Sequence, residues 1–247
     1  MKPTISPVGD CAISIDFGQV IDPKINRQIR QVIEQIKVLQ LDGIIELVPT
    51  YCALLVQYDA MVYTYSDICR ILDPILQESV TDSVIERVMI VEMPTVYGGE
   101  FGPDLGFVAS YNHISEDEVV SIHSGTDYLV YMLGFIPGFT YLGGMDPRIA
   151  TPRLSSPRTL IPAGSVGIAG EQTGTYPSDS PGGWQIIGRT PVTMYDMSKK
   201  QAAQLQAGDY VRYVSINENE FHRIKLLGSN YIPSMYEVEV GELRGYK

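Results

Sequence analysis

Residues 131–191 read YMLGFIPGFTYLGGMDPRIATPRLSSPRTLIPAGSVGIAGEQTGTYPSDSPGGWQIIGRTP and place the tightest limit on the fold. Glycine and proline are too dense there for a helix interior, where they cost about 1 and 3 kcal/mol relative to alanine. A flexible linker is excluded as well, because aromatics and arginines are spread through the run without repetition. They are Phe135, Phe139, Tyr141, Tyr176 and Trp184, with Arg148, Arg153, Arg158 and Arg189. What remains is a β unit with tight turns, in which glycine supplies positive φ and proline fixes the approach to each turn.

The 247 residues suffice for one large core or two small ones. No apolar run approaches the length of a membrane span, and the opening MKPTISPVGD has no apolar signal-peptide core. Three cysteines, Cys11, Cys52 and Cys69, are an odd number without metal-ligand spacing, so neither a disulfide framework nor a metal is expected, and the location is cytoplasmic. The net charge of −11 argues against a nucleic-acid partner. Against that background the four arginines of the β-rich run suit a local site for an anionic small molecule.

Periodicity divides the rest. Ile13, Ile15 and Phe17 alternate as a strand, Asp22 and Pro23 open a helix to about Leu39, and strands are expected at 44–48 and 52–58. Ser66 is the expected cap of a second helix that Pro74 kinks or ends, and a strand near 85–93 follows. This is an α+β domain over 1–90, a small sheet with helices on one face. A second, mainly-β domain is expected over 91–226. It opens with short helices from Pro103 and from a Ser115/Glu118 capping box, then has strands near 127–135, 159–162, 165–169, 184–187, 192–195 and 209–216. Residues 217–226 suit a helix, and 227–247 form a tail of unknown role in which Tyr236, Val238 and Val240 suit one more strand.

Several words of this sequence carry a family resemblance: VGDCAISIDFG (8–18), ELVPTYCALLVQYD (46–59), VYGGEFGPDL (96–105), YMLGFIPGFTYLGG (131–144), DPRIATPR (146–153), PRTLIPAGSVGIAG (157–170), QTGTYP (172–177) and SPGGWQIIGRTP (180–191). Together they resemble the B-subunit family of 5-oxoprolinase, which takes in kinase-A inhibitor proteins and is related to part of the urea carboxylase carboxyltransferase region. The resemblance implies a cyclophilin-like barrel for the second domain. It also implies one component of an ATP-dependent enzyme that opens 5-oxoproline to L-glutamate with A and C subunits, and that is inactive alone. ATP is then used by the complex. Two alternatives come with the same resemblance: an inhibitor of a sporulation-type sensor histidine kinase, and a component of a biotin-dependent, urea carboxylase-like carboxyltransferase.

Arg153 and Arg158, each preceded by proline, are the candidate catalytic cations, since a rigid guanidinium fork matches a carboxylate or phosphate. Salt bridges to the domain's own acids are an equal use for them. Glu100 and Asp104 are candidate acids or bases, or caps of the helix near Pro103. Gln172, Tyr176, Trp184 and Gln185 are candidate substrate contacts, with Trp184 equally suited to the core. Phe135, Pro137, Phe139 and Tyr141 are candidates for an apolar partner face. Of the histidines, His123 suits a structural place at a helix end better than a ligand role. GSVGIAGEQTG (164–174) has no phosphate-loop lysine and suits a hairpin. Phe221-His222-Arg223 resembles a word of the cyclophilin-type prolyl isomerases, but the rest of their pattern is missing.

Overall fold

The computed structural model describes residues 3–77, 87–134 and 136–245. It is a mixed α/β chain that divides into two compact units, Met1–Val84 and Ile85–Lys247. The first holds β1 (Thr4–Pro7), β2 (Ala12–Asp16), α1 (Pro23–Val38), β3 (Ile44–Pro49), β4 (Ala53–Tyr58) and α2 (Tyr65–Gln77). Its strands make an antiparallel sheet in the order β1-β2-β4-β3. Alternation selects the buried side chains: Ile13 and Ile15 of β2 and Leu54, Val56 and Tyr58 of β4 pack with Ile29, Val32, Ile33 and Ile36 of α1 and Ile68 and Leu72 of α2.

The entry to α1 follows its sequence, with Asp22 accepting the Lys24 N–H at 2.8 Å and Pro23 in the first turn. The entry to α2 does not use Ser66. Thr64 Oγ1 accepts the Asp67 N–H at 3.2 Å while the Asp67 carboxylate accepts the Thr64 N–H at 3.1 Å, a reciprocal cap that places Ser66 inside the helix. Pro74 lies within α2, which continues to Gln77.

The second unit holds β5 (Arg87–Tyr97), α3 (Leu105–Asn112), α4 (Glu116–Ser124), β6 (Asp127–Leu133), β7 (Thr140–Gly143), β8 (Arg158–Ile161), β9 (Ser165–Ala169), β10 (Gln172–Thr175), β11 (Ser180–Gly182), β12 (Gln185–Arg189), β13 (Tyr210–Ser215), α5 (Glu218–Leu227) and β14 (Met235–Glu239). The main sheet runs β10-β9-β12-β5-β13-β6-β7, with β14 also on β5. Its end strands β7 and β10 lie against each other, so the sheet nearly closes as a barrel. β8 and β11 form a separate two-stranded ribbon.

The strand expected to finish the small domain is β5, and it belongs to the large sheet. It pairs parallel with β13, antiparallel with β14, and at its end with β12. The reason is in its composition: RVMIVEMPTVY is nearly continuous in apolar residues, the pattern of a strand covered on both faces. Residues 192–195 form no ladder, and only an isolated bridge joins Tyr195 to Ala203. α3 starts at Leu105, later than Pro103, and α4 carries the Ser115/Glu118 reciprocal cap.

Two buried polar networks fix this core. Arg212 donates to both carboxylate oxygens of Asp127 at 2.7 Å and to the Tyr236 hydroxyl at 2.7 Å, and Asp127 also accepts the Arg244 N–H at 2.8 Å. The C-terminal residues are thereby tied to β6 and β13. His123 is fully buried in the second network. Thr173 Oγ1 gives its proton to the Gly167 carbonyl at 3.0 Å, so it accepts from His123 Nε2–H at 2.8 Å. Nδ1 then accepts from the Tyr97 hydroxyl at 2.8 Å. The imidazole is neutral, and burial pushes its pKa down to about 3.

Because His123 stays uncharged in the fold but takes a proton near pH 6.5 once unfolded, it stabilises the fold above that pH. Its contribution is lost at up to about 1.4 kcal/mol per unit as pH falls from there toward 3. Urea unfolding at pH 7, 6 and 5 is expected to show this slope, and His123→Gln is expected to lack it. Arg212→Ala strands a buried carboxylate and is expected to cost about 3–5 kcal/mol in the same assay.

Candidate functional site

The four arginines of the β-rich run have different fates. Arg148 pairs with Asp146, through Nη2 at 2.7 Å, and the Arg189 Nε–H goes to the Ala163 carbonyl at 2.9 Å. Arg158 makes a two-point pair with Asp104, Nη1 to Oδ2 at 2.9 Å and Nη2 to Oδ1 at 2.7 Å. Arg153 is exposed and, among the described residues, has no hydrogen bond or ion pair.

Asp104 is the most heavily used of the candidate acids. It precedes α3 but makes no side-chain cap there. Its carboxylate turns instead to Arg158 and to the Ile186 N–H, which it receives at 2.6 Å, while its own N–H goes to the Ile186 carbonyl at 2.9 Å. Arg158 Nη1 also reaches the Trp184 carbonyl at 3.4 Å. The start of α3, the ribbon strand β8 and the start of β12 are thus fastened at one point. Asp104 and Arg158 lie 54 residues apart, so no local pattern pairs them. Glu100 is exposed in the turn after β5 and joins none of these groups.

Four aromatics form a row that joins this clamp at Trp184. Tyr176 meets Trp184 edge-on at 6.1 Å, Trp184 meets Phe139 at 6.2 Å, and Phe139 meets Tyr141 at 5.2 Å. Gly174 of β10 makes the close seat of the indole possible, since a Cβ there would lie 3.2 Å from the ring. The candidate substrate contacts Tyr176 and Trp184 therefore adjoin the candidate partner residues Phe139 and Tyr141. Pro137 is exposed nearby in sequence, and Phe135 lies outside the described residues. The Trp184 backbone amide lies near the Tyr176 hydroxyl. Burial raises the Tyr176 pKa, against which that amide, Arg153 and Arg158 act.

Gln185 is buried, its Nε2–H donated to the Pro152 carbonyl at 2.9 Å, and its Oε1 has no partner among the described residues. Gln172 sits at the far end of β10 from Tyr176.

The other sequence motifs fall elsewhere. Residues 165–175 form the β9–β10 hairpin, not a phosphate loop between strand and helix. Phe221 packs on Phe101, and Arg223 is tied along α5 to Glu220 at 2.7 Å. No group of three or more His, Cys, Asp or Glu among the described residues could hold a metal. No helix among them is long and apolar enough to cross a membrane.

What the cluster offers chemically is an unpaired cation, a hydroxyl and an aromatic wall on a rigid clamp. Removing either half of the clamp is expected to loosen it. Asp104→Asn and Arg158→Ala should each cost about 2–3 kcal/mol in urea, the lower end for a pair whose arginine is one-third exposed. Trp184 is the single tryptophan, so its fluorescence emission should shift in both variants.

The carboxyltransferase domain family, subdomain C and D, matches residues 3–205. The 5-oxoprolinase B subunit of Bacillus subtilis is 45% identical over 231 residues, 90% of this chain and 96% of that protein. The protein of the same name from Escherichia coli O157:H7 is 50% identical over 128 residues, 52% of this chain and 59% of that one. A conserved Pyrococcus horikoshii protein of solved structure is 47% identical, with a TM-score of 0.53 over 88% of this chain and 100% of that chain. The Kluyveromyces lactis urea amidolyase superposes on 96% of this chain with a TM-score of 0.76, using 16% of its own length. At 22% identity that likeness speaks for the fold alone. The chain belongs to the B-subunit family of 5-oxoprolinase, within the proteins built on carboxyltransferase subdomains C and D.

Proposed function

We propose that this chain is the B subunit of a heteromeric 5-oxoprolinase, opening 5-oxoproline to L-glutamate at the expense of ATP together with A and C subunits, and inactive without them. The observation that carries the reading is near full-length identity of 45% to a protein of that name, 90% of this chain against 96% of the relative. Cys11, Cys52 and Cys69 are free thiols, which supports a reducing, cytoplasmic location. For the finer fold we infer helices on one face of the small sheet, supported by the single cluster that α1 and α2 share with β2 and β4, and a cyclophilin-like form for the larger sheet.

The chemistry of the cluster suits the substrate. 5-Oxoproline carries a carboxylate and a lactam in one small ring. Arg153 has a guanidinium without a partner among the described residues and takes the carboxylate. Trp184 and Phe139 supply an apolar wall for the ring. Arg158 and Asp104 hold that wall in place, each occupied by the other. The hairpin at 165–175 does not fit ATP phosphates, so no step on this chain is routed through the nucleotide. The aromatic row continues from Trp184 to Phe139 and Tyr141, and that end suits the C subunit.

The test is ATP-dependent release of glutamate from 5-oxoproline by purified A and C subunits, with this chain added or omitted. Activity is expected only with the chain present, and undiminished turnover on omission rejects the reading. Arg153→Ala is expected to raise KM for 5-oxoproline about 10- to 100-fold, the loss of one charge-assisted contact, with an unchanged urea midpoint.

A further inference from the structure

Gln185 opens β12 and is 2% exposed. Its side-chain amide spends one N–H on the Pro152 carbonyl at 2.9 Å, and its Oε1 is buried with no partner among the described residues. The orientation is forced, since a carbonyl only accepts and so must face the amide nitrogen. A buried acceptor left unpaired costs more than a single neutral hydrogen bond returns. An apolar side chain of the same length would fill the place without that cost, so stability does not account for a glutamine here.

What the bond holds does account for it. Arg153 follows Pro152, and the direction of its side chain is set by the two peptide planes that flank its Cα. The plane before it carries the Pro152 carbonyl, held by Gln185. The plane after it carries the Leu154 N–H, which donates to the Gly183 carbonyl at 2.7 Å. Just upstream, Thr151 is bridged to Gly170, its N–H engaged at 3.2 Å and its carbonyl at 2.7 Å. Proline itself fixes φ at position 152. Gly183 and Gln185 stand on either side of Trp184, so the root of Arg153 and the indole hang from three consecutive residues. The next N–H, that of Ile186, goes to the Asp104 carboxylate at 2.6 Å and anchors this stretch.

We propose that Gln185 is a positioning residue: through the Pro152 carbonyl it aims Arg153 at the carboxylate of 5-oxoproline, in register with the Trp184 wall. The inference rests on the oxoprolinase reading above and on the role given there to Arg153. It adds to that site a buried residue that touches neither the substrate nor the reacting atoms. An arginine whose root swings freely must be ordered when the anion binds, and a root fixed in advance removes part of that loss. The gain is in affinity for the anion, so it belongs to KM more than to kcat.

The experiment uses the complex reconstituted with A and C subunits. Omission of this chain and Arg153→Ala come first. Turnover that survives omission, or an unchanged KM in Arg153→Ala, overturns the reading beneath the inference and the inference with it. Gln185→Met keeps the length of the side chain and removes the donor. It is expected to raise KM for 5-oxoproline about 3- to 10-fold, the ordering of one long side chain, with kcat within about twofold. Its urea midpoint should not fall, because the unpaired acceptor goes and water can take over the carbonyl of the exposed Pro152. In the Arg153→Ala background the same substitution is expected to leave KM within about twofold, since no guanidinium is left to aim. An unchanged KM in Gln185→Met, or an equal rise with and without Arg153, overturns the positioning role and leaves the oxoprolinase reading standing. Should Gln185→Met not fold, Gln185→Asn keeps the amide, falls short of the carbonyl and goes through the same cycle with the same outcomes.

Discussion

Asp104 is the side chain on which the geometry of the cluster turns. Its carboxylate receives two guanidinium N–H groups from Arg158 and the backbone N–H of Ile186. Three charge-assisted bonds satisfy one nearly buried charge, which is the condition under which burying an ion pair is tolerable. The arrangement explains why the side chain before α3 is not used as a cap. An N-cap bond from an exposed helix start stabilises by about 1 kcal/mol, whereas an Arg158 left without its carboxylate would cost more. The result is a fixed start to β12, and therefore a fixed backbone at Trp184, from which the aromatic row takes its position.

Local chemistry made much of this fold legible. Asp22-Pro23, the Ser115/Glu118 cap and the alternation of β2 each act within a few residues, so the sequence states them directly. The same applies to β9, expected over 165–169 and found there. What escaped depends on partners far along the chain. β10 and β11 are short and polar or glycine-rich, and exist because β9 and β8 offer ladders to them. β5 has an unambiguous strand sequence, but which sheet it joins is decided by β13, β14 and β12. Thr64 prevailed over Ser66 because Asp67 completes a reciprocal pair with it, a signal that was in the sequence as T-x-x-D.

The site was legible in its residue types and not in its pairings. Pro-Arg spacing marked Arg153 and Arg158 alike, yet only the fold separates them. One guanidinium is consumed by a carboxylate 54 residues away, and the other is left to solvent. Tyr176 and Trp184 flank β11, and nothing in QTGTYP or SPGGWQ says that their rings would meet edge-on. The decoys share a cause as well. His123 and Phe221-His222-Arg223 have the residue types of active groups, but His123 is sealed between Tyr97 and Thr173 and Arg223 is spent on its own helix.

The exposure of Arg153 bears on why a chain of this kind would need company. Two unit charges 4 Å apart attract by about 1 kcal/mol in water and by about 4 kcal/mol at an effective dielectric of 20. A guanidinium left in solvent therefore binds a small carboxylate weakly, and in a protein of net charge −11 the overall field opposes the anion's approach. Covering the cluster would change this without moving an atom of the chain, by excluding water from Arg153. The aromatic row runs from Trp184 to Phe139 and Tyr141, so a partner seated on that end would have to reach back across Trp184 to cover the polar groups. On the proposed reading, then, the rigid clamp supplies placement and the partner supplies dryness, and neither alone would make the site strong.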